Sequence, residues 1–467
     1  MIVGPDGNRI SSKPKRISAR YDAALSQENH WSYTDSLNSV AANSPEVRRK
    51  LRERSRYETA NNSWLNGAIA KLASYTIGTS PSLQLAIGPE LERVESLFMQ
   101  WFADRDLPKA LLTACRAMHT DGEAFFLQSS TQHTPDQPVS LDFQLRECDW
   151  FEASGIGSAS FESQEAESGI RLADDGRPAA YHMLSAHPGG NSWAGIKTDG
   201  QWLDASQVCH VYKTDRPEQL RGIPTVTPAL PLFSQLRRYT LAALEAAETA
   251  ANFSCLISQE NIFGEDGNVE QLESMLEIPV QRGMMATLPV GTRMHQLKAE
   301  QPTSTHDAFT KSLLLEVGAA LGLPPLVILG SAAGYNFSSA KLDLGQLERQ
   351  LECERATVWE PLLTRIFKAW LSEAVLIPGY LPAGIAGDTL SQFRPKWRWQ
   401  SPAPIDRAKE AQGARQELQN KTTTLAREHA KRGLDWEVEL RQHAREQQLI
   451  KELGLTTAPN EEAKQNL

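Results

Sequence analysis

Between Pro231 and Ser258 the sequence PLFSQLRRYTLAALEAAETAANFSCLIS runs for about twenty-eight residues with no further Gly or Pro, so its composition predicts one long helix. At about 1.5 Å per residue such a helix is a rod of roughly 40 Å. Its alanines, Ala242, Ala243, Ala246, Ala247, Ala250 and Ala251, leave little side-chain bulk, so a neighbouring helix can approach its backbone closely, as in a multi-helix wall. The plainer alternative is a good helix former inside a monomer core. A rod of this length leaves the body of the protein and has to be followed back. Residues 259–305, with FGEDGN, EIPVQRGMMATLPVGT and QPTSTH, read as a Gly/Pro-broken excursion with short strands, and Asp307–Leu321 reads as the returning helix.

That helix stops at Gly322-Leu323-Pro324-Pro325, and the polar and aromatic loop GSAAGYNFSS follows. A second long helix is expected over Ala340–Leu371, capped by Ser338 or Ser339 and kinked at Pro361. In it Leu344, Leu347, Leu351, Val358, Leu362, Ile366 and Trp370 form the apolar side, and Glu348, Arg349, Glu352, Glu354 and Arg355 the polar side. From Ile405 to Leu455 the chain reads as charged helices capped at Asp406, Thr424 and Asp435, with a stop at Gly433; the final dozen residues have the composition of a disordered tail.

The N-terminal half has a different rhythm. Residues 1–19 are rich in Gly, Ser, Pro and Lys and read as a mobile arm. One helix is expected over Pro45–Ile77 with its stop at Gly78, and two more over Pro89–Asp104 and Pro108–His119. The Pro89–Asp104 helix sets Leu91, Val94, Leu97, Phe98, Trp101 and Phe102 on one stripe. Across 123–212 the runs AFFLQ, LDFQLRE, AAYHML and QVCHVY, separated by turns, predict strands. The class is therefore α+β, mainly helical.

A net charge of −9, from 48 Lys+Arg against 57 Asp+Glu, argues against tight gripping of nucleic acid, which calls for a basic face. Cys115, Cys148, Cys209, Cys255 and Cys353 are scattered without a C-x-x-C pair, so no zinc site or disulfide framework is encoded locally and a reducing compartment is expected. The first residues lack an apolar signal core, and the run 313–334 is interrupted by Glu316 and a Pro pair, so neither signal peptide nor membrane span is expected.

The search for chemistry returns little. Gly190, Gly195, Lys197 and Thr198 imitate a phosphate loop, but Ile196 stands between glycine and lysine, so the lysine cannot share the nest of amides. No G-x-S-x-G elbow, H-E-x-x-H pair or deaminase signature occurs. His119, Asp121 and Glu123 can in principle hold a divalent cation, as nucleases require; the plainer reading is a helix-to-strand turn at Asp121-Gly122. Pro135-Asp136 with Glu462-Ala463-Lys464 reads as a chance imitation of a nuclease signature. Trp193, Trp397 and Trp399 can stack on bases, but core packing is the ordinary use of such residues.

The order of features, more than any single motif, resembles the lambda-type phage portal proteins. The residues that carry the resemblance are Arg20-Tyr21-Asp22-Ala23-Ala24, Leu51-Arg52-Glu53-Arg54-Ser55-Arg56, Asn61-Asn62, Gly78-Thr79, Trp101-Phe102-Ala103 and Asp121-Gly122-Glu123-Ala124. Further along come Gly222-Ile223-Pro224, the Ala-Ala-Leu-Glu-Ala-Ala-Glu run at 242–248, Gly322-Leu323-Pro324 and Asn336-Phe337-Ser338-Ser339-Ala340. Arg407 stands after Ile405-Asp406 where the family pattern has proline.

The resemblance implies a portal-protein fold assembled as a homo-oligomeric ring of about twelve copies. It divides the chain into a flexible arm (1–19), wing (20–225), stem helix (226–258), clip (259–305), second stem helix (306–321), tunnel loop (322–339), long helix with return to the wing (340–402), crown (403–455) and flexible tail (456–467). On that mapping Ala332, Ala333, Gly334, Tyr335, Asn336, Phe337 and Ser338 face DNA, and the six alanines pack the stem. The implied function is a non-enzymatic channel at one capsid vertex of the virion, assembled in the host cytoplasm. Its implied partners are double-stranded DNA, bound without sequence preference, the terminase large subunit, head-tail adaptors, and major capsid and scaffold proteins; no cofactor, metal or membrane is implied. The competing readings are a metal-dependent DNA-processing enzyme and another ring-forming head-tail connector.

Overall fold

A computed structural model describes residues 36–85, 89–132, 134, 137–151, 166–190, 200–252, 256–259, 292–295, 304–382, 385, 395–400 and 407–455. The arm, the Arg20–Ala24 segment, most of 259–305, the imitation phosphate loop beyond Gly190, Trp193, Pro135-Asp136, the Asp406 cap and the tail lie outside the described residues.

A short helix α1 (Ser39–Ala42) precedes α2 (Pro45–Asn61) and α3 (Ser63–Ile77). The single helix expected over Pro45–Ile77 is thus two. Asn62 divides them: its side chain accepts from Trp64 N at 3.0 Å and Leu65 N at 3.4 Å, so a strong N-cap competes successfully with helix continuation. Gly78, at φ 68°, closes α3 as expected. After β1 (Ser82–Gln84) come α4 (Pro89–Asp104) and α5 (Leu107–Asp121). In α4 the stripe residues Val94, Phe98, Trp101 and Phe102 are buried. Gly122, at φ 95°, ends α5 in the left-handed conformation that glycine adopts without strain, which makes Asp121-Gly122 the helix-to-strand turn.

The strand-rich segment holds β2 (Glu123–Ser130), β3 (Leu141–Arg146), β4 (Ala166–Glu167), β5 (Ile170–Leu172), β6 (Pro178–Leu184), β7 (Gly200–Asp204) and β8 (Val208–Tyr212). They form two antiparallel sheets, β3-β2-β8 and β4-β5-β6-β7. In the first, Phe125 pairs with His210 on one side and Arg146 on the other.

The long helix α6 spans Leu230–Asn252, 23 residues or about 34 Å, shorter than the sequence suggested. Residues 256–258, expected inside that helix, belong instead to strand β9 (Leu256–Gln259), paired antiparallel with β10 (Thr292–His295). The partner strand supplies the backbone hydrogen bonds that a helical continuation would have made for itself. The returning helix α7 (Ser304–Leu321) lies against α6, with Tyr239 stacked on His306 at 5.2 Å and edge-on to Phe309 at 4.6 Å.

Next come α8 (Pro325–Leu329), α9 (Phe337–Glu354), a π-helical turn at Arg355–Trp359, and α10 (Glu360–Ala374). Two expectations are corrected here. Asn336, not Ser338 or Ser339, caps α9; Ser339 is the reciprocal partner of a capping box, its hydroxyl accepting from Asn336 N at 3.0 Å. The irregularity expected at Pro361 falls one turn earlier, because Pro361 sits near the start of α10, where its missing N–H leaves no bond unmade. Strand β11 (Lys396–Arg398) pairs with β1, and the charged helices α11 (Arg407–Gln419), α12 (Leu425–Lys431) and α13 (Trp436–Glu452) end the described chain. Thr424 and Asp435 cap α12 and α13, and Gly433 takes φ 73° after α12.

Two cores hold this together. In one, α4, α5, α10 and the sheet edges enclose Phe98, whose ring stands edge-on to Phe367 and Trp370 at 5.3 Å and to Trp397 at 6.0 Å. Trp397 and Trp399 therefore belong to packing. In the other, α3, the start of α6, α7, α8 and α9 meet around Phe233, Val317, Ile328 and Leu351. Among the described residues no helix is long and apolar enough to cross a membrane.

Candidate functional site

The loop from Gly330 to Asn336 is fixed at both ends and open between them. On its N-terminal side Lys71 of α3 donates from Nζ to the Val327 carbonyl at 2.6 Å, and Gly330, at φ 62°, turns the chain away from α8. On its C-terminal side the Asn336–Ser339 capping box sets the first turn of α9. Ala332, Ala333, Gly334, Asn336 and Ser338 are exposed, and Tyr335 is half-buried because its hydroxyl donates to Asp343 at 2.7 Å. Gly334, at φ 81° with no atom within 4 Å of a built Cβ, leaves the loop tip in open space. The result is an exposed tip of small and uncharged side chains held on a rigid helix start. Such a surface can touch a polyanion sterically without forming salt-dependent phosphate bonds.

The other charge-bearing constellation, His119, Asp121 and Glu123, does not assemble into one site. Asp121 gives both carboxylate oxygens to Arg56, at 2.8 and 2.9 Å, and burial pushes its carboxyl up against that pull. Glu123, 1% exposed, is enclosed by Arg221, which donates from Nε at 3.0 and 2.9 Å and from Nη2 at 2.5 Å. His210 Nε2 and the Gly222 amide each lie 2.9 Å from Glu123 Oε2. Burial alone would raise the Glu123 carboxyl, but Arg221 and His210 together hold it well below the usual carboxylate range. His119 points elsewhere, toward Glu354. Glu123, with its oxygens taken up by a guanidinium, an imidazole and an amide, locks the 221–225 connector onto the α5–β2 turn, and Asp121 is paired separately with Arg56. Arg221 Nη1 also donates to the Phe151 and Ser168 carbonyls, at 3.0 and 2.8 Å.

At that lock the backbones of Gly122 and Gly222 meet. A Cβ on Gly222 would lie 2.1 Å from the Gly122 oxygen, and one on Gly122 would lie 2.7 Å from the Ile223 carbonyl carbon. Gly222→Ala is therefore expected to force the connector off the turn and to cost about 1–3 kcal/mol, read as a lowered midpoint in chemical denaturation. An unchanged midpoint would mean the two segments separate freely.

The sequence reading misplaced Glu354 and Arg355, assigned to the polar side of a helix; each is 5% exposed. Both follow the buried Leu347 and Leu351 at helical spacing, so they lie on the inward face of α9 despite their charge. Arg355 donates from Nε to the Thr76 carbonyl at 2.8 Å and from Nη2 to that of Tyr75 at 2.7 Å, satisfying the last turn of α3, and lies over the Trp399 ring at 5.1 Å. Arg221, His210 and Lys213 were also missed, since nothing in local spacing signals a partner about ninety residues away or, for Lys213 with Glu354, about 140.

Residues 27–355 match the family described as phage portal protein, lambda family. The chain belongs to that family, and its mainly helical α+β fold is a portal fold. It is accordingly a phage portal protein, and the reading as a DNA-processing enzyme finds no support. Among solved structures, the chain is similar to one titled the neck of a native GTA particle computed with C12 symmetry, at 14% identity and TM-score 0.45, covering 80% of this chain and 90% of that one. It is also similar to one titled the neck of an empty GTA particle computed with C6 symmetry, at 15% identity and TM-score 0.46, covering 83% and 94%. A third, titled the virion of a native gene transfer agent particle, has 14% identity and TM-score 0.43, covering 80% and 88%. The family assignment does not rest on these three. No curated protein matches the sequence.

Proposed function

We propose that copies of the chain close into a ring of about twelve, with the α6–α7 pair as its stem wall, and that the ring is a passive, non-enzymatic conduit for double-stranded DNA at the portal vertex of the virion. In this reading residues 20–225 are wing, 259–305 clip, and 403–455 crown facing the capsid interior. The clip meets the terminase large subunit during packaging and head-tail adaptors afterwards. Capsid and scaffold proteins surround the wing, and assembly proceeds in the host cytoplasm.

The observation that carries the ring is the apolar surface that α6 and α7 leave uncovered. Leu241 and Leu244 are 53% and 54% exposed, Phe309 45% and Leu315 41%, on two helices already packed against each other. Ala242 and Ala246, exposed alongside, let a third helix come close. A solitary soluble chain has no reason to hold such residues on one pair of helices, whereas a neighbouring copy would cover them. Negative-stain images of the purified protein are expected to show annular particles with a central hole. Leu244→Asp is expected to prevent closure while leaving the chain folded by circular dichroism, because the side chain it alters faces water in the single chain. Particles that stay single at high concentration would overturn the ring. The Gly330–Ser339 loop then lines the bore, and its lack of charge keeps sliding DNA from being held at each phosphate.

A further inference from the structure

Below the lock lies a second buried cluster that the portal role does not use. Cys115 and His119 stand four residues apart on one face of α5, both 0% exposed. Glu354, the last residue of α9, comes to the same place on the buried face that α9 shares with Leu347 and Leu351. One ligand atom from each of Cys115, His119 and Glu354 lies within 4.8 Å of the others.

His119 Nδ1 lies 3.2 Å from Thr225 Oγ1, which orients the ring, and its Nε2 is aimed into the cluster without a hydrogen-bond partner, 3.7 Å from Glu354 Oε1. An orphaned, fully buried imidazole nitrogen costs free energy unless something completes it. With Nδ1 turned to the Thr225 hydroxyl, Nε2 is the ring atom placed to carry the lone pair that a metal ion accepts.

We propose that Cys115 Sγ, His119 Nε2 and the Glu354 carboxylate form a structural zinc site tying the middle of the wing helix α5 to the end of α9. One thiolate, one imidazole and a carboxylate make a donor set suited to Zn²⁺, and the separations need only modest contraction to reach tetrahedral ligand distances. The charges balance. The Cys115 thiol gives its proton to solvent, and thiolate plus carboxylate neutralise the dication. Lys213, whose Nζ now lies 2.5 Å from Glu354 Oε2, returns its ammonium to water, and a solvent molecule entering where it lay completes the tetrahedron as the fourth ligand. Its side chain is 26% exposed, so the path outward is short. Trp359 Nε1, 3.3 Å from Glu354 Oε1, steadies the carboxylate from the second shell. No oxidant or reductant takes part, and the ion enters as the chain folds.

The test uses the full chain, purified from zinc-replete buffer and desalted. Elemental analysis is expected to find about one zinc per chain, and about tenfold less in Cys115→Ser, with the exposed-cysteine control Cys353→Ser unchanged. Cobalt in place of zinc is expected to give the wild-type chain a thiolate-to-cobalt charge-transfer absorption, absent in Cys115→Ser. Should Cys115→Ser fail to fold, the wild-type measurements decide alone. Zinc far below one equivalent, or a cobalt spectrum without the thiolate band, overturns the site. Neither readout depends on ring formation, so a failed ring and a failed zinc site are separately visible.

Discussion

A chain carrying Glu123→Ala is expected to lose about 3–5 kcal/mol of folding stability, the characteristic cost of removing one member of a buried ion pair and stranding the other. The group left behind here is Arg221, whose guanidinium would keep its carbonyl acceptors at Phe151 and Ser168 and lose the Glu123 carboxylate. Glu123→Gln, which retains shape and one acceptor, should lose distinctly less. The same pair dictates an acid limit. The folded Glu123 carboxyl titrates well below its unfolded counterpart, so its contribution is whole above the ordinary value of 4.5 and disappears as pH falls from there toward the folded value. Denaturant melts of parent and variant at neutral pH and at pH about 3 should therefore converge as acid removes what the mutation has already removed. A loss under about 1 kcal/mol at neutral pH would show that water reaches Arg221 and that the lock is ornamental.

The second large effect is on DNA. Deleting Ala333–Phe337 is expected to leave rings intact and heads largely empty. The deletion removes the Asn336 cap and the Tyr335–Asp343 bond, so the first turn of α9 frays, but the α3 anchor at Val327 and the buried Leu347 and Leu351 further along α9 remain to carry the local fold. Ring integrity would be read by electron microscopy and packaged DNA by nuclease protection in filled heads. Normal filling by the deleted chain would remove the loop from the mechanism. Replacing Ala332 and Ala333 by Lys makes the converse test: added phosphate contacts should slow packaging, and more so at low salt.

Much of the helical plan was legible because it depends on neighbours in sequence. Pro89–Asp104 announces itself by its stripe, Gly78, Gly122 and Gly433 by the conformations they permit, and Thr424 and Asp435 by their side-chain oxygens. What could not be read depends on distant partners. Asn62 breaks a helix whose composition favours continuity, Leu256-Ile257 become strand only because Thr292–His295 lies alongside, and Glu354 and Arg355 are charges on the buried face whose partners lie on other segments. The exposed tip at 332–338 was visible as a polar, glycine-containing interruption. The clusters of Arg221 with Glu123 and His119 with Glu354 are invisible in spacing, since each joins segments far apart in sequence.

The π-helical turn between α9 and α10 has a mechanical meaning. One additional residue in a single turn offsets everything after it by roughly 100° relative to everything before. The loop-bearing half of the rod and the tryptophan-bearing half thus answer to two different cores, with the offset absorbed between Arg355 and Trp359. Excise one residue from that stretch and the register could suit only one half: either the loop keeps its aim while Trp370 swings out into water, or the tryptophans stay seated and the loop points away from the bore.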